Sequence, residues 1–533
     1  MRAEELMVLS RRGLIGSGVA LAALPLLEAC AGKGGNGKVL IVGLSTEPTT
    51  LTCSFTSAGV AQFISPKIFD GLLTYTPDLK PLPRLAQAWH FDETGHTLTL
   101  QLRPGVRWHD GKPFTSGDVA FSALQVWKPY HSRGRMTFAH LTAVDTPDPL
   151  TAIFRFSEPS PYALSALGAN ESQVVPRHLY EGRDVIGNPA NLRPVGTGPF
   201  RFAEWQTGQF IRLERNPDYW AKGLPQADGV IFRLLSDGAA QAAALETGEI
   251  DLTRDIAPGD FDRLVRLPNL RQDKRPFALS SAGSGIEFNL DVPKLRDVRV
   301  RRAVAHAVDK HFILQTILRG DGVIDKGPIS SLYPAFYSDD LPDYPFDPAK
   351  AIALLEEAGL KPDARGIRLS FRLSSIPGTP ASAQVTDYVR SALAKVGIEA
   401  RIEKQDFASF VKKVYTDRNF DVVITGGQMG PDPVIGTQRW YWSKSFKPGV
   451  AFSNGSHYSS AQADHFLEEA QREVDPARRK ALYAQFSRVV MTDLPRIPLY
   501  STSYRLFSNS RVSPLPDTAE GYMGSFADVK LSA

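Results

Sequence analysis

The segment from residue 367 to residue 425 restricts the fold of this chain more than any other. Alternating apolar residues predict strands, and apolar residues at helical spacing predict helices between them. The predicted strands cover 367–373, 398–404 and 420–425, and the predicted helices cover 381–397 and 407–418. A strand–helix–strand–helix–strand order produces a parallel sheet with right-handed crossovers. We therefore predict an α/β fold.

A glycine-rich loop, GGQMGPDP at 426–433, follows the last of these strands. In open α/β sheets, ligands bind beyond the carboxyl ends of the strands, and glycines let the backbone approach a ligand closely. The loop is therefore predicted to line a binding site. The candidate ligand contacts in it are Gly426, Gly427, Gln428, Met429 and Asp432. The alternative is a Gly/Pro turn that contacts no ligand.

Further segments carry helix and strand signals. Val39–Leu44 predicts a buried strand, and leucines alternate on one face of a second strand around 98–102. One long amphipathic helix is predicted over 299–320. Asp347, placed before a proline, predicts the start of another helix, and Gly359 predicts its end.

The N-terminal region has the pattern of an export signal. Two arginines at 11–12 precede an apolar run at 14–27, which is shorter than the about 20 residues that span a membrane. The arginine pair resembles a twin-arginine signal, or it forms an ordinary positive n-region. The run ends near Cys30, which we expect to be the acylated first residue of a lipoprotein. Soluble release by a protease cutting nearby is the alternative. We expect residues 1–29 to be a signal peptide and the protein to be exported to the periplasm or cell envelope.

The stretch Gly32–Lys38 has the outline of a phosphate-binding loop, G-x-x-x-x-G-K. Such a loop follows a strand, opens a helix and ends in a serine or threonine that reaches magnesium. Here the stretch precedes a predicted strand, and Val39 occupies the place of the hydroxyl residue. We therefore interpret residues 30–38 as a flexible tether and not as a nucleotide site.

The bulk composition excludes several classes of function. A net charge of +4 over 533 residues is too small for a nucleic-acid-binding surface. Two cysteines, Cys30 and Cys53, indicate individual roles and not a disulfide framework. The histidines lack metal-ligand spacing, and no G-x-S-x-G motif is present. We expect no metal, no cofactor and no catalytic residues. An exported hydrolase and a chaperone-like or signalling adaptor remain alternative classes.

The stretch LAQAWHFDETGHTLTLQLRPGVRWHDGKPFTSGDVAFS, at 85–122, resembles the extracytoplasmic solute-binding proteins of family 5. These are the peptide/nickel-type binding lipoproteins of ABC importers. Further blocks resemble the family in the same order: GTGPFRF at 196–202, RNPDYW at 215–220, GEIDL at 248–252, FNL at 288–290, RVRRAVAHAVDK at 299–310, KAIALLEEAGL at 350–360 and FSNGSHYSS at 452–460. The resemblance covers nearly all of the chain after the tether.

The resemblance implies a type II periplasmic-binding-protein fold of cluster C, with two lobes joined by hinge strands and an inserted subdomain. The hinge strands would lie near 278–286 and 496–503. The implied boundaries are 39–280 for the first lobe, about 76–195 for its inserted subdomain, 281–498 for the second lobe and 499–533 for a C-terminal return to the first lobe.

The function implied by the resemblance is the substrate-binding component of an ABC importer, without enzymatic activity and monomeric. It would capture a peptide-like solute between the lobes and deliver it to the permease, and a lipid anchor would be its only membrane attachment. Two further candidate contacts are Glu47, after the first strand, and Asn289, beside the hinge. Trp440 and Tyr441 are candidate aromatic walls of the site, with core packing as the equal alternative.

The chain departs from the family's pattern in two places. Peptide-binding members commonly hold the ligand's α-amine with an aspartate four residues before the proline of the loop, where this chain has Met429. Asp432 is offset from that position by three residues. Dipeptide binders tend to carry an arginine and an aromatic residue in the loop SSIPGTP at 374–380, which here is uncharged. These departures keep a non-peptide solute open: an oligosaccharide, an opine or a metallophore complex.

Overall fold

The computed structural model describes residues 38–532, apart from 132, 276, 378–379 and 503–504. The predicted signal peptide and the tether with Cys30 lie outside the described residues. The strands in the described part of the chain are β1 (Val39–Leu44), β2 (Leu73–Tyr75), β3 (Pro81–Pro83), β4 (Ala86–Phe91), β5 (Thr97–Leu102), β6 (Leu141–Asp148), β7 (Thr151–Phe156), β8 (Phe200–Gln206), β9 (Phe210–Arg215), β10 (Gly229–Leu234), β11 (Leu252–Thr253), β12 (Leu270–Asp273), β13 (Ala282–Phe288), β14 (Val323–Ile324), β15 (Leu369–Ser375), β16 (Ile398–Ile402), β17 (Val422–Gln428), β18 (Arg496–Thr502) and β19 (Leu506–Asn509).

Helices connect and cover these strands. They are α1 (Gly59–Ile68), α2 (Ser116–Phe121), α3 (Lys128–Tyr130), α4 (Gly134–Thr137), α5 (Arg177–Tyr180), α6 (Gly238–Glu246), α7 (Phe261–Leu264), α8 (Pro293–Arg296), α9 (Val298–Ala307), α10 (Lys310–Phe312), α11 (Pro348–Glu357), α12 (Pro380–Ala394), α13 (Phe407–Val411), α14 (Gln438–Tyr441), α15 (Ala461–Arg472) and α16 (Pro476–Asp493). Turns of π-helix extend α2, α10 and α13.

A seven-stranded sheet brings together distant segments of the chain. Its strand order is β12-β19-β11-β1-β10-β9-β8. The predicted strand β1 lies inside this sheet, parallel to β10 along its whole length, and Leu40 and Val42 on it are fully buried. Because β19 comes from the C-terminal region and pairs with β11 and β12, the sheet joins that region to the first half of the chain.

A six-stranded sheet contains the alternating segment on which the α/β prediction rests. Its strand order is β14-β18-β13-β17-β15-β16. β15 pairs in parallel with β16 on one side and with β17 on the other, which confirms the predicted parallel arrangement. β13 lies between β17 and β18 and is antiparallel to both.

The C-terminal region leaves the six-stranded sheet after β18. β18 remains paired with β13 as far as Thr502, whose partner is Ala282. The next strand, starting at Leu506, already belongs to the seven-stranded sheet. The crossing between the two sheets therefore falls after Thr502.

A four-stranded sheet, β4-β5-β7-β6, carries the stretch that resembles family 5 most closely. Leu98, Leu100 and Leu102 of β5 are buried, as their alternation predicts. α2 follows with a capping box, in which Asp118 accepts a hydrogen bond from the backbone N–H of Thr115 at 2.9 Å. The cap satisfies N–H groups that the first turn of a helix leaves without partners.

The prediction of one long helix over 299–320 is wrong, because the chain breaks after Ala307. Val308 is extended, with φ −105° and ψ 116°. Asp309 then caps a new helix by accepting hydrogen bonds from the backbone N–H groups of His311 and Phe312. An aspartate that bonds the backbone locally favours a helix start over a helix interior. The predicted Asp347 cap of α11 is confirmed, with a 2.9 Å bond from the backbone N–H of Lys350.

Candidate functional site

A concavity opens beside β13, β17 and β18, where β17 passes into the glycine-rich loop. It therefore lies at the carboxyl end of a strand in an open α/β sheet, the usual location of a ligand site. Gly283, Gly427, Met429, Trp440, Tyr441 and Arg496 are among the residues that line it.

The two glycines that end β17 have different surroundings. A Cβ atom on Gly426 would lie 1.9 Å from the carbonyl oxygen of Gly283, so only glycine lets β17 pack this closely against β13. A Cβ atom on Gly427 would lie 3.4 Å from Nη2 of Arg439, an ordinary contact distance. Gly426 therefore serves strand packing, whereas Gly427 lines the concavity.

Gln428 joins β17 to the region around the four-stranded sheet. Its Oε1 accepts a hydrogen bond from Nη1 of Arg133, at 3.3 Å. Arg133 immediately precedes α4, and its Nε donates to Oε2 of Glu171 at 2.8 Å, beside a second bond between the same side chains. Both members of this ion pair are buried. The concavity is thus next to a contact between residues that are 295 positions apart in the chain.

Aromatic side chains form one wall of the concavity. Trp440 and Tyr441 on α14 are 5% and 3% exposed, and Met429 packs against the cluster that contains them. They are therefore both core residues and wall residues. Two guanidinium groups lie over the Trp440 ring, with the central carbon of Arg496 4.4 Å and that of Arg439 5.1 Å from its centroid.

Asp432, one of the predicted ligand contacts, forms a buried ion pair. It is fully enclosed, and its two oxygens accept hydrogen bonds from Nη1 and Nη2 of Arg479 at 2.7 and 2.8 Å. Its Oδ1 also accepts from the backbone N–H of Val434. Because both of its oxygens bond to groups of the loop and α16, Asp432 holds the loop in place. Its role as a ligand contact stays a prediction.

Glu47 and Asn289 are also bonded within the protein. Glu47 accepts hydrogen bonds from the indole Nε1 of Trp205 at 2.8 Å and from the backbone N–H of Gly208. Asn289 donates to the carbonyl oxygen of Phe420 and accepts from Nη2 of Arg418. Neither of the two lines the concavity. The structure therefore does not bring them together with Gly427 and Met429.

Two buried carboxylates lie near the concavity. Burial raises the pKa of Glu287 to about 7, although Arg496, with Nη1 4.0 Å away, opposes the rise. Burial raises the pKa of Asp325 to about 6, although a hydrogen bond from Ser501 Oγ, at 2.7 Å, lowers it. Desolvation disfavours the charged form of an acid. Both groups therefore titrate nearer to neutral pH than ordinary carboxylates.

Comparison with known proteins decides the family. The model for "bacterial extracellular solute-binding proteins, family 5 middle" matches residues 80–449. The chain belongs to this family. The oligopeptide-binding protein AppA of Bacillus subtilis is 27% identical over 509 residues, which cover 92% of this chain and 90% of that protein. The dipeptide-binding protein of Escherichia coli is 27% identical over 499 residues, covering 85% of this chain and 89% of that one.

The fold of this family 5 protein matches that of solved relatives. The structure of B. subtilis AppA in complex with a nonapeptide superimposes with a TM-score of 0.78 at 25% identity, and the match covers 93% of this chain and 99% of that one. The family 5 assignment made from the sequence is confirmed, as is the α/β, two-lobed type II fold.

Cys53 gives this family 5 protein no reactive thiol. Its side chain is fully buried and its Sγ donates to the carbonyl oxygen of Ala169 at 3.1 Å. Burial raises the pKa of this thiol to about 12, so it is protonated at neutral pH. Within residues 38–532, outside the gaps, no group of three or more histidine, cysteine, aspartate and glutamate side chains is arranged to hold a metal ion. No helix in the described region is long and apolar enough to cross a membrane.

Arg133, Glu171, Arg439 and Arg496 were not predicted as site residues. They come from separate parts of the chain, and no motif in the sequence relates them. Arg439 has the clearest local signal, because it directly precedes the predicted aromatic walls in the stretch TQRWYW. Arg133 and Glu171 reach the site through the hydrogen bond between Arg133 and Gln428 of β17. Arg496 reaches it through the pairing of β18 with β13.

Proposed function

We propose that this family 5 protein is the extracytoplasmic substrate-binding component of an ABC importer, and that it captures a peptide-like solute and delivers it to the permease. The proposal rests on the concavity beside β17. The concavity lies next to the contact between Arg133 and Gln428, which joins two distant parts of the chain. Its relatives in B. subtilis and E. coli are named for binding oligopeptides and dipeptides.

The first proposed lobe is 39–280, which contains the inserted region near 76–195, together with the C-terminal return. The second proposed lobe is the region that follows residue 280 as far as β18. β13 and β18 are the proposed hinge strands. Ion pairs across the proposed cleft, such as that between Arg472 of α15 and Glu158, support closure of one lobe on the other. Hinge closure around a ligand would bury it while its polar groups find partners.

The proposed ligand contacts are the members of the predicted set that line the concavity, Gly427, Met429, Trp440 and Tyr441. We add Gln428, which lies between Gly427 and Met429 in the chain. Gly426 and Asp432 hold the loop in position, as their contacts within the protein indicate. A non-peptide solute is the alternative, and Met429 supports it, because a thioether cannot pair with the ammonium group of a peptide.

Native mass spectrometry tests the proposal. The chain without residues 1–29 is purified with no added solute, and whatever is released on denaturation is identified. A ladder of peptide masses supports peptide import, and one non-peptide mass favours the alternative solute. Protein that is empty, and that no solute stabilises in a thermal-shift screen, contradicts the binding role.

The cellular location is a further part of the proposal. The family is extracellular by description, and we propose export through the signal at residues 1–29, by the twin-arginine route, with a lipid on Cys30. The mass of the membrane-extracted protein tests the lipid. A mass equal to that of the unmodified chain from Cys30 contradicts acylation.

A further inference from the structure

Among the residues that the structure describes, the carboxylates near the concavity all have cationic partners within the protein, but one arginine there has no carboxylate partner. Arg133 is bonded to Glu171, and Arg496 faces Glu287 at 4.0 Å. Asp325, which lines the concavity, accepts a hydrogen bond from Ser501 and is attracted by Lys310 and Arg496. Within the described part of the chain, each of these carboxylates therefore already faces a cation of the protein itself.

Arg439 is the exception. Among the described residues, none forms an ion pair with it. Its Nη2 makes one long hydrogen bond, 3.5 Å to the carbonyl oxygen of Gln428, and its buried Nε has no hydrogen-bond partner. Arg133 and Arg496 are close enough to repel it, and the nearby Glu171 is already bonded to Arg133. Arg439 thus carries a positive charge that the described protein leaves uncompensated.

This charge persists at neutral pH. Burial, with repulsion from Arg133, lowers the pKa of Arg439, but only to about 10. A desolvated guanidinium without a counter-ion is unfavourable, and an anion supplied from outside removes that cost. The guanidinium is also placed for contact with a solute: Nη2 is 3.4 Å from the position of a Cβ atom on Gly427, which lines the concavity.

We propose that the solute presents a carboxylate group to Arg439, and that this contact, not capture of an ammonium group, sets the preference of the site. A guanidinium fork matches the two oxygens of a carboxylate and holds it by two parallel hydrogen bonds. The inference rests on the proposed solute-binding function and names the class of solute: acidic, or blocked at its amino end.

Two matched peptides separate the two kinds of recognition. N-acetyl-trialanine has a carboxylate and no ammonium group, and trialanine amide has an ammonium group and no carboxylate. Binding of each to the chain without residues 1–29 is measured by isothermal titration calorimetry at pH 7. We expect the N-acetylated peptide to bind and the amide to bind at least tenfold more weakly. The reverse preference, or binding of neither peptide, overturns the inference. Native mass spectrometry tests the solute-binding role separately, so failure of this inference and failure of the proposed function can be told apart.

Variants of Arg439 test the residue itself. We expect Arg439→Gln to weaken binding of N-acetyl-trialanine by about 30-fold or more, since about 2 kcal/mol is the lower range for removing one member of a buried charge pair. Arg439→Lys keeps the charge without the fork and should retain the preference for the carboxylate with lower affinity. Arg401→Gln is the matched control, because Arg401 is 65% exposed on β16 and pairs with Glu399.

The unfolding temperature without solute distinguishes a ligand contact from a structural role. Because Arg439→Gln removes an uncompensated charge from a half-buried side chain, we expect it to leave the unfolding temperature of the empty protein unchanged or raised. A purely structural arginine would instead lower this temperature and weaken all solutes equally. That outcome, or binding by Arg439→Gln equal to that of Arg401→Gln, refutes the assignment.

Discussion

The ion pair between Asp432 and Arg479 provides the sharpest test of how the loop after β17 is held. Both side chains are enclosed, at 0% and 9% exposure, and two hydrogen bonds of 2.7 and 2.8 Å join them. In Asp432→Ala, the guanidinium keeps its bonds to Ala470 and Tyr483 but loses the only carboxylate that it contacts among the described residues. We expect the free energy of unfolding to fall by about 3–5 kcal/mol, the range for breaking a buried pair from one side.

A second aspartate, which pairs with another arginine of α16, supplies the control. Asp340 pairs with Arg488, also on α16, but these side chains are 81% and 55% exposed. Exposed pairs contribute about 0–1 kcal/mol, so Asp340→Ala should change stability by no more than that. Urea unfolding followed by tryptophan fluorescence compares the two variants. A loss in Asp432→Ala as small as that in Asp340→Ala would refute the reasoning.

The double variant Asp432→Ala with Arg479→Leu separates the lost pair from the charge that is left behind. Most of the cost of the single substitution comes from an arginine that is buried and unpaired. Replacing that arginine with an apolar side chain should recover part of the lost stability. A double variant less stable than Asp432→Ala would show that the arginine stabilises the loop through its other bonds.

Three further substitutions have defined outcomes. Burial raises the folded-state pKa of Glu287 to about 7, so the native protein binds more protons than the unfolded chain between about pH 4.5 and 7. Stability should therefore fall as pH rises through that window, and Glu287→Gln should flatten the fall in unfolding temperature. An unchanged profile contradicts the assignment. Gly426→Ala should lower the unfolding temperature, because its Cβ would lie 1.9 Å from a backbone oxygen of β13, and Gly427→Ala should not; equal effects would argue against the close strand contact. In a chain with Cys30 replaced by alanine, Cys53 should react with a thiol reagent only in denaturant, since its buried thiol has a pKa of about 12; rapid reaction of the native protein would refute its burial.

Several local features were predictable because their causes are local. The apolar alternation at 98–102, the capping aspartate Asp347 and the parallel arrangement of the segment 367–425 all follow from periodicity and turn chemistry, and each is present. The helix predicted over 299–320 failed because one side-chain hydrogen-bonding choice, at Asp309, overrode a continuous amphipathic pattern.

The binding site was less predictable. The loop and the aromatic residues after β17 could be chosen from the sequence, since the carboxyl end of a parallel strand is a general site position. The sequence does not show which polar side chains in that region already have a partner within the protein. Asp432 looked available in the sequence, yet both of its oxygens bond to an arginine 47 residues away. Arg439 did not stand out, yet it lacks any ion-pair partner among the described residues.

The sequence by itself therefore determined the fold class, the family and the strand whose end carries the concavity, because periodicity, caps and motifs are properties of neighbouring residues. Only the tertiary structure decided which charges are compensated. Ion pairing depends on distances between groups that are far apart in the chain, such as Arg133 and Glu171 or Arg479 and Asp432. Desolvation then gives each unpaired group a cost that no local pattern records.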